Sequence, residues 1–218
     1  IQMSVDATFK KTETADRVAI IVTGLYRDSV YYWKIINKRM GFVETLDKLK
    51  AILKEIPTID ELVIEDKANG SAIIDTLRYA DGVPPIVGVN PLGGKYSRAQ
   101  AVSPFVATRK CYVPTDWTSE ECADVEWDGK STPTPDRAFI MQHSTFPYAK
   151  NDDMVDANTQ GLSRVIKLIT GEEPKPTRRF VRFSKWYPDM WEDYEQMNSV
   201  DQEKFIAMYG APLEWADD

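Results

Sequence analysis

With 218 residues, 43% of them hydrophobic, the chain can bury a sizeable core, which excludes a disordered polypeptide. A formal charge of −7 argues against a stand-alone nucleic-acid binder, whose affinity normally comes from a basic face. No apolar run is long enough to cross a bilayer, and Ile1-Gln2-Met3-Ser4-Val5-Asp6 has neither the basic nor the apolar part of a signal peptide. The chain starts without Met and inside what reads as a strand, so a piece of a longer polypeptide is expected.

Residues 1–8, 17–24 and 29–37 are rich in Val, Ile and Tyr and separated by polar turns, which predicts three antiparallel strands. The period then changes. Leu46, Leu49, Ile52, Leu53 and Ile56 follow helical spacing until Pro57 stops the run. Residues 62–65 form a short apolar strand, 70–80 a helix with Ile73, Ile74 and Leu77 on one side, 86–89 a strand and 96–107 a helix. Helices placed between strands imply parallel pairing, so the expected fold class is α/β: a mixed sheet, antiparallel at first and then parallel, flanked by helices. Such an order fits a ribonuclease H-like layout, and several other α/β folds as well.

Residues 114–136 are rich in Pro, Asp and Thr and read as a surface insertion with a short helix near 119–125. Residues 152–170 read as a helix whose inner side carries Val155, Leu162, Val165, Ile166 and Ile169. The expected division is a domain over 1–171, followed by a linker and aromatic-rich tail over 172–218. Arg178, Arg179, Arg182 and Lys185 give that tail a local basic run. It reads either as a partner-docking segment or as a helix folded back on the domain.

Cys111 and Cys122 make neither a metal pattern nor a disulfide framework and read as reduced cytosolic thiols. His143 is the sole histidine, which rules out a site built from several imidazoles. Any metal must be held by carboxylates, and such ligands favour magnesium or manganese.

Carboxylates stand at three places. Asp6 ends the first strand, Glu65 and Asp66 close the fourth, and Asp152, Asp153 and Asp156 open the last helix. Asp153 and Asp156, three apart, share a helix face, as do Asp152 and Asp156, four apart. Hydrolysis of a phosphodiester with two divalent cations needs several such groups converging from rigid elements. Each acid also has an ordinary reading, as a turn residue, a helix cap or a partner of the helix dipole. Asp156 is the hardest to read that way, since an acid on an apolar helix side needs a partner.

Val63-Ile64-Glu65-Asp66-Lys67-Ala68-Asn69-Gly70 and Phe146-Pro147, followed by Asp152-Asp153-Met154-Val155-Asp156-Ala157, resemble the large subunit of tailed-phage terminases. The intervening Pro91-Leu92-Gly93-Gly94-Lys95, Arg98-Ala99-Gln100-Ala101-Val102-Ser103-Pro104 and Tyr112-Val113-Pro114 carry the resemblance on. So does the opening Ser4-Val5-Asp6-Ala7, and the resemblance covers roughly residues 1–170. It implies the ribonuclease H-like nuclease domain of that family, an endonuclease cutting concatemeric double-stranded viral DNA during genome packaging. Two Mg or Mn ions would be its cofactors. The resemblance implies Asp6 as the acid bridging both metals and Glu65 as the second ligand, with Asp66 in reserve. Asp153 or Asp156 would be the third, with Asp152 less favoured.

Lys95 and Arg98 would contact DNA phosphates, or else be a solvated loop and helix start. Implied partners are double-stranded DNA, the terminase ATPase domain, the small terminase subunit and the portal, with no membrane, in the host bacterial cytoplasm. Loaded cations and a fused partner domain would offset the acidic charge. Gly93-Gly94-Lys95-Tyr96 lacks the hydroxyl residue and upstream Gly of a phosphate-binding loop, so no ATPase activity is expected in this chain. The alternatives are another ribonuclease H-like nuclease, such as a junction resolvase, or a non-catalytic packaging and assembly module.

Overall fold

A computed structural model describes residues 1–7, 17–67, 69–90, 93–114, 135–148 and 151–172. The expected helix near 119–125 and the tail lie outside the described residues. The element order is β1 (Gln2–Ala7), β2 (Arg17–Tyr26), β3 (Ser29–Arg39), α1 (Phe42–Glu55), β4 (Glu61–Glu65), α2 (Asn69–Leu77), β5 (Ile86–Val89), α3 (Lys95–Ala107), β6 (Cys111–Tyr112), α4 (Pro135–Thr145) and α5 (Asp153–Thr170).

Six strands form one mixed sheet in the order β5-β4-β1-β2-β3-β6. The first three pair antiparallel. β4 joins β1, β5 joins β4, and β6 joins β3, all in parallel. The antiparallel start and the later parallel strands match the α/β class read from the sequence. β1 is therefore central, with β2 on one side and β4 on the other, and all six of its residues are buried. No described helix is long and apolar enough to cross a membrane.

Two apolar layers cover the sheet. Met3, Val5, Ile20, Ile36, Leu62 and Ile64 pack with α1 and α2 residues such as Leu49, Ile52 and Ile73. Ala19, Ile21, Ile35 and Tyr32 pack on the opposite face with Val102 of α3, Phe139 of α4 and Met154, Ala157 and Leu162 of α5. Strand alternation then fixes the rest: if Val5 and Ile64 face the first layer, Asp6 and Glu65 face α5.

Two elements differ from the sequence reading. β6 is only two residues long, too short to alternate, and α4 claims residues 135–136 from the expected insertion. Pro135 suits the first turn of a helix, where no N–H partner is lost. Among the residues of α4 whose side chains are described, Ala138, Phe139 and Gln142 are buried, so its apolar stripe is thin.

Close packing holds both site-bearing elements. Gly161 lets α5 approach β1, since a Cβ there would lie 3.1 Å from the Cβ of Ser4. A Cβ on Gly70 would lie 1.8 Å from the carbonyl oxygen of Glu65, so α2 starts directly against the end of β4. Gly70→Ala should therefore cost about 1–3 kcal/mol or more, as overpacking does. The check is a lower denaturant midpoint with an unchanged slope, and an unchanged midpoint would contradict this packing.

Candidate active site

Asp6 and Glu65 each follow by one residue the last pair of the parallel β1–β4 ladder, Val5 with Ile64. That register brings two acids from distant sequence positions side by side at the carboxyl ends of adjacent strands. The first turn of α5 lies above them because β1 is stitched to that helix. Gln2 Nε2 donates to the Gly161 carbonyl at 2.8 Å and Ser4 Oγ to that of Ala157 at 2.7 Å. Gln160 Nε2 returns the contact, standing 3.0 Å from Ser4 Oγ, 2.8 Å from the Val5 carbonyl and 3.2 Å from that of Val63. One amide thus ties together β1, β4 and α5.

α5 begins without help from its own cap residue, for Asp152 makes no side-chain capping bond. The buried Gln142 of α4 takes that role, its Oε1 accepting from the Met154 N–H at 3.0 Å. One turn on, Asn158 accepts from the Tyr32 hydroxyl at 2.7 Å and donates to His143 Nε2 at 2.9 Å. His143 Nδ1 lies 2.7 Å from the Phe139 carbonyl and donates to it, so both ring nitrogens are committed within the fold. Burial pushes its pKa down to about 4, opposed by the bond to Phe139, so the imidazole is neutral and locked in one tautomer. His143 serves packing, consistent with an all-carboxylate site.

The acids meet around Asp6. It is 9% exposed. Burial, and then the negative charges of Asp156, Asp153 and Glu65, push its carboxyl up to about 8, with Lys95 pulling the other way. Asp153 is also held above the ordinary range, by burial first and Asp152 second, against the pull of Arg17, its own backbone N–H and Lys95. Among the described residues no salt bridge reaches Asp6 or Asp153. Glu65 has one distant cation, Lys67 at 3.8 Å, in a half-exposed pair worth little.

Asp156 is treated differently. Its carboxylate is 8% exposed and meets Lys95 Nζ at 2.6 Å and Arg98 NH2 at 2.7 Å. Lys95 also reaches Asp152 at 2.7 Å. Burial works against the charge of Lys95, but its hydrogen bonds to Asp152 and Asp156 outweigh that and hold the ammonium above its usual range. Lys95 and Arg98, expected at DNA phosphates, are here engaged by the acids. Asp66 points elsewhere: it accepts from Ser71 Oγ at 2.7 Å and packs against Gly88.

The donor set is oxygen only, which suits hard cations, and a divalent ion would relieve the crowding of like charge at Asp6. Among the described residues no three His, Cys, Asp or Glu side chains already stand close enough to hold a metal ion. The acids converge, but binding requires their side chains to draw together and Asp156 to exchange partners.

Arg17, Gln142, Asn158 and Gln160 were not singled out from the sequence. Arg17 is buried at the start of β2. It lies two residues before Ala19, the cross-strand partner of Asp6, and so on the same face. A signal for the α5 residues did exist: Asn158, Thr159 and Gln160 form a polar run in a helix with apolar residues on both sides of it, and buried polar groups need partners.

The raised pKa of Asp6 has a definite consequence without metal. Between pH 4 and 8 the folded chain keeps a proton that the unfolded chain has released, so this group's contribution to stability falls as pH rises through that window. Asp6→Asn removes the loss. In EDTA the variant should melt above wild type at pH 8, by at least about 2–4 °C, the effect of about 1 kcal/mol in a chain of this length. The gap should shrink toward pH 5, and a gap independent of pH would contradict the crowding.

Comparison with known proteins places the fold. The model of the "Terminase RNaseH-like domain" family matches residues 3–164. No curated protein matches the chain. Among solved structures, the human cytomegalovirus terminase nuclease domain aligns at 14% identity and a TM-score of 0.49, covering 77% of this chain and 82% of that one. A manganese-soaked form of the same domain gives 14% identity and 0.46 over the same shares. Fowlpox virus resolvase in complex with Holliday junction DNA gives 15% and 0.43, covering 78% of this chain and 99% of that one. With the matched segment spanning most of the chain, from β1 into α5, the chain belongs to the terminase RNaseH-like domain family.

Proposed function

We propose that the chain is a metal-dependent DNA endonuclease that cuts concatemeric double-stranded viral DNA during genome packaging. The observation that carries the reading is the meeting of Asp6, Glu65 and the first turn of α5 at the ends of two adjacent parallel strands, with Asp6 buried among like charges. A fold maintains such crowding at a cost, and sites where charge must be gathered for chemistry are where that cost is kept. Family membership supports the reaction class.

Asp6, Glu65, Asp153 and Asp156 would hold two divalent cations, magnesium or manganese. When bound, these supply the charge neutralisation that phosphodiester hydrolysis demands. The chain's own part is to fix the ligands. Strand pairing holds Asp6 and Glu65, Gln142 and Gln160 hold the start of α5, and Arg98 restrains Asp156. Double-stranded DNA is the proposed substrate. A packaging ATPase, a small terminase subunit and a portal are the proposed partners, in the host cytoplasm.

Incubating supercoiled and branched DNA with the protein in Mn²⁺ tests this. Wild type should nick and linearise plasmid. Asp6→Asn and Glu65→Gln should lower the rate by more than the roughly 10–100-fold that loss of an outer partner costs a metal site. Cutting by Asp6→Asn at the wild-type rate would overturn the assignment, strict preference for branched DNA would favour a resolvase, and no cutting in any metal would favour an assembly role.

A further inference from the structure

Asp156 lies on the inward face of α5 beside Asp6, the position from which a carboxylate would reach a cation, yet it is already engaged. Lys95 and Arg98, three residues apart in the first turn of α3, approach it together at 2.6 and 2.7 Å. The two are not equivalent. The Arg98 side chain is 18% exposed and its guanidinium bonds one oxygen of Asp156, a restrained contact. Lys95 is 50% exposed and spreads one ammonium across two acids, Asp152 and Asp156, at the end of a flexible stem. It stands among the acids and, being the more exposed of the two cations, is the freer to withdraw into solvent.

We infer that Lys95 is the resident counter-ion of the acid cluster, a positioning residue that neutralises Asp152 and Asp156 until divalent cations take its place. The inference rests on the metal-dependent reading above. A cation entering among these carboxylates and an ammonium bound to two of them draw on the same negative charge, so each weakens the other. That coupling is reciprocal by linkage. Metal loading then has a structural correlate, withdrawal of the Lys95 side chain from Asp152 and Asp156, and Lys95 sets its midpoint. The ion pairs also help so many acids coexist in a folded chain before metal arrives: Lys95 and Arg98 neutralise Asp156 in part, and Lys95 opposes the repulsion that still raises Asp6.

Calorimetric titration of Mn²⁺ into the full chain, without DNA, tests this on wild type, Lys95→Met, Lys95→Arg and Asp6→Asn. Lys95→Met should bind Mn²⁺ more tightly, by roughly three- to tenfold, the range expected for removing a partly exposed ion-pair partner from competition. Lys95→Arg, which keeps the charge, should stay near wild type. In melts, Lys95→Met should fall below wild type in EDTA and recover at saturating Mn²⁺. Should Lys95→Met not fold, Lys95→Gln serves in its place with the same expectation. Affinity equal to or weaker than wild type in the neutral variant overturns the inference alone. Wild-type binding no tighter than that of Asp6→Asn overturns the metal reading, and the inference with it.

Discussion

Keeping a carboxylate almost without water among other carboxylates is expensive, and the domain is arranged around that expense at Asp6. The residue sits on β1, which is hydrogen-bonded on both sides and buried along its length, so it cannot escape by a local shift of backbone. Register with β4 delivers Glu65 next to it, and the contacts of Gln2 and Ser4 with α5, together with those of Gln160 from α5 back to β1, deliver Asp153 and Asp156. Each contact is local and ordinary. Together they overrule the repulsion, and the raised pKa of Asp6 is its residue.

The first turns of α5 are governed by side chains from outside the helix. Gln142 caps it from α4, which leaves Asp152 available to Lys95. Asn158, between Tyr32 and His143, fixes the rotation of the next turn. Lys95 and Arg98 hold Asp156 from α3. Three elements thus orient one carboxylate-bearing helix start, the kind of support a site needs if its ligands are to stay within tolerance.

Much of this was legible in the residues themselves. The antiparallel start, the alternation of helix and strand, and the placement of acids at strand ends follow from periodicity and turn chemistry. Asp156 was conspicuous as an acid on an apolar helix side, and its partners are now named. The choice of Lys95 and Arg98 as those partners was not legible. Nothing in spacing distinguishes a lysine facing phosphate from one facing an aspartate 57 or 61 residues downstream, because that depends on how α3 packs on α5. β6 was too short to carry a pattern, and the thin apolar stripe of α4 hid it. The role of Gln142, a cap acting from another helix, has no local signature at all.

The central claim, that these carboxylates share one site for divalent cations, is tested most directly by crystals soaked in manganese and measured at its absorption edge. The expected result is anomalous density bounded by the side chains of Asp6, Glu65 and Asp153, with Lys95 withdrawn from Asp156. Protein that takes up manganese in solution but shows its anomalous peaks away from Asp6, with Lys95 still seated, would contradict it.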